Sequence, residues 1–336
     1  MSKRLRILLD GYIDGNFGDD LMLYLAADGL KEHKLYITSP KLDIAEYTEE
    51  KSSFDCYLKV TGSGFLIHNN KGIAYRMRDM YREKRYSKNR AVINCNISGF
   101  VNRVAEKVIQ KQISDYDFVT VRDRYSYEYI TKNIPNVKYE KYPDMVLSLS
   151  DGMIPNVHSE NALGISVHKS ADINLLAEIA DRFINETGKN VCLLCFNTGL
   201  EDDVSVANQV YGIMKNKHMT EIIRYTDIND MLKNIKRCGA ILGIRFHSTI
   251  LAIRMGIPVV PIAYSDKTKN ALDEIGYSGK IYDVNNIDTD EVLRSILNAV
   301  PYKLDGNIIK SAENHIKRFD ERSEEHTSEL QSHHRI

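Results

Sequence analysis

The sequence has no tryptophan, seven prolines and five cysteines in 336 residues, and its charges nearly cancel, leaving −1 at pH 7. No stretch reaches the roughly 18 consecutive apolar residues that a membrane-spanning helix needs. The near-neutral charge argues against the broad basic surface of a nucleic-acid-binding protein, so no nucleic-acid partner is expected. An odd number of cysteines, mostly within apolar runs, argues against a disulfide framework and favours reduced thiols in the cytoplasm.

Short apolar runs alternate with stretches of helical periodicity through most of the chain. This alternation is typical of parallel strands joined by helices, so we predict an α/β protein with two doubly wound, Rossmann-like domains facing a cleft. The boundary is placed in the polar, aperiodic stretch 151–160, which gives an N-terminal domain over 1–150 and a C-terminal domain over 151–321. The predicted strands are 5–9, 35–38, 57–60, 91–94, 118–121, 138–139, 163–167, 191–196, 221–225, 240–244 and 258–262.

The last fifteen residues, 322–336, differ in kind from the rest of the chain. Their first twelve letters, RSEEHTSELQSH, match the translation of a common sequencing-library adapter. We therefore expect this segment to carry no function, and the natural sequence after about residue 321 to be missing.

A glycine-rich turn follows the first predicted strand, in the stretch LLDGYIDGNFGDDLML. Glycine lets a ligand approach the backbone closely, and a helix predicted to open near Asp19 offers unpaired N–H groups. The spacing fits neither the dinucleotide-binding glycine pattern nor a phosphate-binding loop. Two interpretations are open. Either Asp19 or Asp20 caps the helix, or one of them caps it while the other faces the cleft as an acid, a base or a hydroxyl-binding group.

Two more strand ends carry candidate residues. The stretch VTGSGFLI supplies Gly62 and Gly64, which form either a ligand-binding loop or a plain turn. Arg122 directly follows the strand in DFVTVRDRYS, and it is either an anion-binding residue or an arginine that is solvated or paired. Asp123 either pairs with it or caps the next helix, and Asp144 in YPDMVL is a candidate partner for an arginine. Ligands of doubly wound sheets bind outside the carboxyl ends of the strands, where all these residues are expected.

The stretch LGIRFHSTILAIRMGIPVVPIAYSDK places cations at two successive strand ends. Arg245 and His247 follow the strand predicted over 240–244, Ser248 is placed to cap a helix over 248–255, and Lys267 follows the next strand. Arginine recognises carboxylates and phosphates with a fork of donors, and histidine exchanges a proton near neutral pH. A small anion with both a carboxylate and a phosphate, such as phosphoenolpyruvate, fits this combination.

Three of these stretches resemble the polysaccharide pyruvyl transferase family: GYIDGNFGDDLML, VRDRYS and GIRFHSTILAIRMGIPVVPIAYSDK. The likeness spans most of residues 5–277, and the third stretch is the most specific. It implies a two-domain fold of the GT-B glycosyltransferase type. It also implies transfer of a pyruvyl group from phosphoenolpyruvate to two sugar hydroxyls as a ketal, with release of phosphate.

The resemblance also implies roles for individual residues. By motif position it makes His247 a donor-binding residue and Asp19 a candidate acid or base. The reaction itself needs an acid near C3 and a base near the sugar oxygen, so we assign His247 to phosphate binding and to the acid, and Asp19 to the sugar hydroxyl. Extra acidic residues at 14 and 20 depart from the family pattern, so it stays open which aspartate acts. Phosphoenolpyruvate is a co-substrate, and no cofactor or metal is expected. Contacts with phosphoenolpyruvate, on the side of the C-terminal domain, are expected from Arg122, Arg245, His247, Ser248 and Lys267. Contacts with the acceptor, on the side of the N-terminal domain, are expected from Asn16, Gly18, Asp19, Gly62 and Gly64.

Two other functions compete with this interpretation. One is a glycosyltransferase of the same fold that uses a nucleotide sugar, with an acid among residues 201–203 binding the ribose. The other is a non-catalytic relative that binds an anion or a sugar. The expected acceptor is a glycan of an exopolysaccharide, capsule or cell wall, or its lipid-linked precursor. The basic, aromatic stretch AYRMRDMYREKRYSKNR is either a solvated helix face or a surface that meets such a precursor, through peripheral association with the inner face of the membrane.

Overall fold

The computed structural model of the protein describes residues 4–49 and 54–333, apart from the side chains of residues 98 and 326–333. The chain folds into two compact units. The first contains Met22–Ser148 together with the described residues before Asp14 and after Ile309, and the second contains Asp14–Leu21 and Leu149–Ile309. Both units are therefore built from separated parts of the sequence, whereas the prediction placed one break near residue 150.

Fifteen strands are present in the described part of the chain. They are β1 Arg6–Asp10, β2 Lys34–Ile37, β3 Glu46–Tyr47, β4 Cys56–Val60, β5 Phe65–Ile67, β6 Arg90–Cys95, β7 Ile97–Phe100, β8 Phe118–Val121, β9 Tyr139–Lys141, β10 Ala162–Ser166, β11 Val191–Cys195, β12 Thr220–Arg224, β13 Cys238–Gly243, β14 Val259–Ala263 and β15 Tyr282–Asp283. All eleven predicted strands lie within two residues of an observed one. The four that the sequence did not reveal, β3, β5, β7 and β15, span two to four residues, which is too short for a periodic pattern.

Twelve α-helices connect and cover these strands within the described residues. They are α1 Phe17–Gly29, α2 Asn70–Tyr86, α3 Arg103–Ser114, α4 Arg124–Asn133, α5 Ile173–Thr187, α6 Asp203–Ile213, α7 Ile228–Lys236, α8 Phe246–Arg254, α9 Asp266–Glu274, α10 Thr289–Leu297, α11 Gly306–Ala312 and α12 Asn314–His333. An Asn or Asp side chain caps the start of seven of them by accepting a backbone N–H of the first turn, which stabilises each helix by about 1 kcal/mol. These caps are Asn69, Asn102, Asp123, Asp172, Asp202, Asp227 and Asp288.

Each unit is built on a parallel sheet. The first unit has seven strands in the order β3-β2-β1-β4-β6-β8-β9, and a separate pair is formed by β5 and β7. The second unit has six strands in the order β12-β11-β10-β13-β14-β15. In both sheets the order runs outward in one direction from the first strand of the unit and then reverses, which is the doubly wound, Rossmann-like arrangement. The predicted α/β class is confirmed.

The strand order of the second unit determines where a ligand site can form. Every residue of β10, β11 and β14 is buried, as expected for parallel strands covered on both faces. The register pairs Ser166 with Gly243 and Gly243 with Pro261, so these strands end at one edge of the sheet. The winding direction reverses between β10 and β13, and this edge is where ligands of such sheets bind.

No helix in the described part of the chain is both long enough and apolar enough to cross a membrane.

Candidate active site in the second unit

Ser166, the last residue of β10, fixes the turn that follows β13. Its hydroxyl oxygen accepts hydrogen bonds from the backbone N–H of Ile244 at 2.8 Å and of Arg245 at 3.1 Å, and lies 2.7 Å from the hydroxyl of Ser248. The Ser248 hydroxyl lies 2.6 Å from the backbone carbonyl of Arg245, to which it donates. The prediction that Ser248 is the helix cap is wrong, because α8 already begins at Phe246. Ser248 holds the turn closed from inside the first helical turn.

Arg245 is buried and bound to two acids that follow β11, Glu201 in the loop and Asp203 at the start of α6. Its Nε donates to Asp203 at 3.0 Å, a second guanidinium N–H donates to the same carboxylate, and a third donates to Glu201. Burial lowers the pKa of Arg245, but the hydrogen bonds and charges of both acids outweigh it and hold the pKa above its usual value. The positive charge of the guanidinium is therefore already balanced by two carboxylates. A contact between Arg245 and phosphoenolpyruvate stays a prediction.

The two acids that bind Arg245 differ in how deeply they are buried. Asp203 is fully buried at the start of α6, and this burial raises its pKa in spite of the hydrogen bond from Arg245. The Glu201 side chain is 39% exposed, and the hydrogen bond and charge of Arg245 outweigh the effect of burial and lower its pKa. Asp203 is thus the fixed partner, while Glu201 lies toward solvent.

His247 lies in the first turn of α8, directly against the glycine loop of residues 14–18. A Cβ atom added to Gly18 would lie 1.8 Å from His247 Nδ1, so the ring occupies the space that any other side chain would need. The ring of Phe246 meets the imidazole edge-on, with centroids 4.9 Å apart. The sequence predicted Gly18 and His247 as site residues, and the structure brings these two residues into contact.

Backbone bonds fix this loop onto the second unit. Asn16 and Asn197 form an isolated antiparallel β-bridge. On either side of it, Phe17 N donates to the carbonyl of Phe196 at 2.9 Å, and Thr198 N donates to the carbonyl of Gly15 at 2.9 Å. The loop after β11 therefore holds the glycine loop on one side and the acids that bind Arg245 on the other.

The two aspartates after Gly18 have different surroundings. Helix α1 begins at Phe17 and Asn16 Oδ1 accepts the N–H of Gly18 at 3.1 Å, so the prediction that Asp19 or Asp20 caps the helix is wrong. The Asp20 carboxylate is buried and accepts the Tyr225 hydroxyl at 2.8 Å. Burial and the Asp20 charge raise the pKa of Tyr225, which stays a neutral donor. Asp20 therefore holds α1 against Tyr225, and Asp19, which is half-buried, stays the candidate acid or base of this pair.

A second histidine, His168, follows β10 and was missed by the sequence analysis. Its ring stacks on Tyr264 with centroids 4.3 Å apart, and its Nδ1 lies 2.6 Å from the Ser170 hydroxyl. Burial and the nearby charge of Arg245 lower the pKa of His168 to about 4, so the ring is neutral near pH 7. The signal in the sequence was a histidine two residues beyond a buried strand, the same position relative to its strand that drew attention to Arg245.

Lys267 is half-buried in the first turn of α9, which follows β14. The ends of three neighbouring strands, β10, β13 and β14, thus carry two histidines, an arginine and a lysine along one edge of the sheet. Such a set can bind an anion and exchange a proton.

The other predicted site residues lie in the first unit. Arg122 is buried and its guanidinium lies 2.6 Å from the carboxylate of Asp144, so it is a paired arginine. Asp123, the other acid considered as its partner, caps α4. A Cβ on Gly62 would lie 3.0 Å from the Arg122 guanidinium, and one on Gly64 would lie 2.5 Å from the Thr61 side chain. The packing of this turn therefore leaves little room for a side chain at either position. Binding of phosphoenolpyruvate by Arg122, and of the acceptor by either glycine, stays a prediction.

Comparison with protein families gives one match, to the family described as polysaccharide pyruvyl transferase, over residues 16–266. This region includes residues 16–18 of the glycine loop, Arg122, Arg245 and His247, and it ends just before Lys267. No curated protein matches the sequence significantly.

Several solved structures are similar in fold. The UDP-GlcNAc 2-epimerase from Methanocaldococcus jannaschii is 11% identical with a TM-score of 0.62, over 95% of this chain and 99% of that one. The epimerase from Neisseria meningitidis bound to UDP-GlcNAc is 11% identical with a TM-score of 0.58, over 95% of this chain and 100% of that one. A putative epimerase from Listeria monocytogenes is 9% identical with a TM-score of 0.59, over 94% and 91%. These similarities confirm the GT-B type of fold and carry no information on the reaction.

Proposed function

Because the chain belongs to the polysaccharide pyruvyl transferase family, we propose that it transfers the pyruvyl group of phosphoenolpyruvate to two hydroxyls of a sugar. The products are a pyruvate ketal and inorganic phosphate. The observation that carries this proposal is the contact of His247 with Gly18, which holds an imidazole at the start of α8 beside the turn that contains Asp19.

The reaction needs an acid, a base and a site for the leaving phosphate. A proton is added to C3 of the enol phosphate, and C2 becomes cationic. A sugar hydroxyl adds to C2 and loses its proton, and the C2–O bond to phosphate then breaks. The resulting oxocarbenium ion is attacked by the second hydroxyl, which also loses its proton. One of the two released protons replaces the one consumed, and phosphate takes the other.

The residues of the second unit supply these groups in our proposal. His247 binds the phosphate and, when protonated, is the acid, while Asp19 takes the proton of the sugar hydroxyl. The backbone N–H groups at the start of α8 and the ammonium of Lys267 stabilise the departing phosphate. His168 contributes a hydrogen bond and no charge near pH 7, because its pKa is about 4. A positioned acid or base of this kind contributes about a hundred- to ten-thousand-fold in rate.

Phosphate release from phosphoenolpyruvate tests this proposal. Wild type, His247→Ala and Asp19→Asn are assayed with a panel of free and lipid-linked glycans. We expect acceptor-dependent release in wild type and a loss of about a hundredfold or more in both variants. The matched control is His218→Ala, which removes an exposed histidine of the same unit outside the site and should leave the rate unchanged.

The competing functions predict other results. Binding of phosphoenolpyruvate without turnover with any acceptor would indicate a non-catalytic anion-binding protein. A shift of the melting temperature with nucleotide sugars but not with phosphoenolpyruvate would indicate a nucleotide-sugar enzyme. The acids at 201–203 give that alternative little support. Glu201 and Asp203 bind Arg245, and Asp202 caps α6 by accepting Ser205 N at 3.1 Å.

A further inference from the structure

The outer face of α2 combines large apolar side chains with positive charge. Tyr75, Met77 and Tyr81 are 66%, 58% and 68% exposed. The exposed residues Arg78 and Arg85 lie on the same solvent-facing half of the helix, and the Arg85 guanidinium lies 6.0 Å from the centre of the Tyr81 ring. We define these five residues as the α2 outer face.

The opposite face of α2 holds the helix in place. Glu83 is buried, and its carboxylate accepts Lys59 Nζ at 2.7 Å and the Tyr116 hydroxyl at 2.9 Å. Near the end of the helix, Lys84 lies 2.6 Å from Asp115. The orientation of α2 is therefore fixed by its inner side, and the α2 outer face contributes little to the fold.

The beginning of α3 extends this surface. Val101 and Val104 are exposed, and Asn102 between them donates from its side chain to Asn70 at 3.1 Å, which places the start of α3 beside the start of α2. Single exposed apolar residues are ordinary on a protein surface, whereas five of them along α2 and around the adjoining start of α3 indicate an interaction surface.

Charge distinguishes this surface from the rest of the chain. Helix α2 carries six Lys and Arg residues and two acidic ones, in a chain whose net charge is −1. Both acids are matched locally, Glu83 by Lys59 at 2.7 Å and Asp79 by Arg82 at 3.5 Å. Two of the bases are also paired with acids outside the helix, Arg82 with Asp10 at 3.6 Å and Lys84 with Asp115 at 2.6 Å. The remaining excess of positive charge on α2 attracts anionic partners.

We propose that the α2 outer face, together with Val101 and Val104, is a docking surface for an anionic lipid bilayer. Basic side chains bind the headgroups electrostatically, and tyrosine, methionine and valine side chains enter the interfacial layer. The exposed Met and Val side chains favour a bilayer over a nucleic acid, because a polyphosphate backbone offers them no apolar partner. Such docking would bring the protein to glycans attached to lipid carriers.

Vesicle flotation without substrates tests the proposal separately from the reaction. Vesicles of phosphatidylcholine with and without 40% phosphatidylglycerol are compared at low and high salt. Wild type is expected to float only with anionic vesicles at low salt. Arg78→Gln/Arg85→Gln and Tyr75→Ser/Met77→Ser/Tyr81→Ser should each weaken binding by about tenfold or more. The matched control, Lys189→Gln/Lys233→Gln, removes two exposed lysines of the second unit and should bind like wild type.

Three results would overturn the proposal. The first is absence of flotation with anionic vesicles at low salt. The second is equal binding by wild type and the Arg78/Arg85 variant. The third is binding that the apolar substitutions leave unchanged and that heparin reproduces without lipid, which would assign the surface to a soluble polyanion. Circular dichroism of each variant establishes that α2 is intact, since the substituted side chains are exposed.

Discussion

Single residues in the second unit decide the geometry of the candidate site. The imidazole of His247 occupies the space that a side chain at position 18 would need. The Ser166 hydroxyl holds the turn after β13 by accepting two backbone N–H groups, and the Asp203 carboxylate binds Arg245. In each case one side chain, or its absence, positions a neighbouring group of the candidate site. These contacts can be tested one residue at a time.

Substitution Gly18→Ala should displace His247, because the added Cβ would lie 1.8 Å from its Nδ1. We expect kcat for phosphate release to fall by about a hundredfold or more and the melting temperature to fall. The double variant Gly18→Ala/His247→Ala removes the clash, so it should regain stability without regaining activity. Gly212→Ala, where an added Cβ meets nothing within 4 Å, is the control and should leave both quantities unchanged or improved. An active Gly18→Ala protein would refute the role given to His247.

The two acids on Arg245 should differ strongly in their effect on stability. Asp203→Ala leaves a buried guanidinium without its main partner, which we expect to cost about 3–5 kcal/mol in the free energy of unfolding. Glu201→Ala removes a partner that is 39% exposed and should cost about 1 kcal/mol or less. Urea denaturation of both variants measures the difference. Equal losses would mean that Glu201 is as much a part of the buried pair as Asp203.

At the scale of elements, α12 is joined to the sheet of the first unit by a buried histidine. His315 Nδ1 lies 2.6 Å from the Thr120 hydroxyl of β8, and Nε2 lies 2.9 Å from the carbonyl of Pro143, to which it donates. Burial, aided by the charge of Arg122, lowers the pKa of His315 to about 4. The helix is thus held by a neutral ring, and this contact depends on pH.

Stability should fall as the pH drops from about 6.5 to about 4. The unfolded chain takes up a proton on His315 near its ordinary pKa of 6.5, whereas the folded chain resists protonation until pH about 4. The contribution of this ring is therefore complete above pH 6.5 and is lost at about 1.4 kcal/mol per pH unit below it. Urea unfolding at several pH values should give a shallower dependence for His315→Gln than for wild type or His218→Gln. Identical slopes in all three proteins would contradict the assignment.

At the scale of the whole molecule, the order of segments along the sequence does not match the unit in which each segment folds. Asp14–Leu21 belongs to the second unit, and the described residues after Ile309 belong to the first. A boundary drawn from composition near residue 150 cannot reveal this, because it depends on which sheet a segment packs against. The described part of segment 322–336 continues α12, and Arg322 lies 2.9 Å from Glu140. The expectation that this segment carries no function stays a prediction.

The alternation of apolar runs with helical periodicity was enough to predict the α/β class and eleven of the strands, because parallel strands covered on both faces appear as nearly continuous apolar runs. Position at strand ends singled out Arg245, His247 and Lys267. Only the tertiary structure decided that Arg245 and Arg122 are paired with acids, that Asp20 is an anchor, and that Gly18 makes room for His247. The physical reason is that pairing and burial depend on residues far apart in the chain, whereas a sequence pattern shows only relations between residues that are close together in the chain.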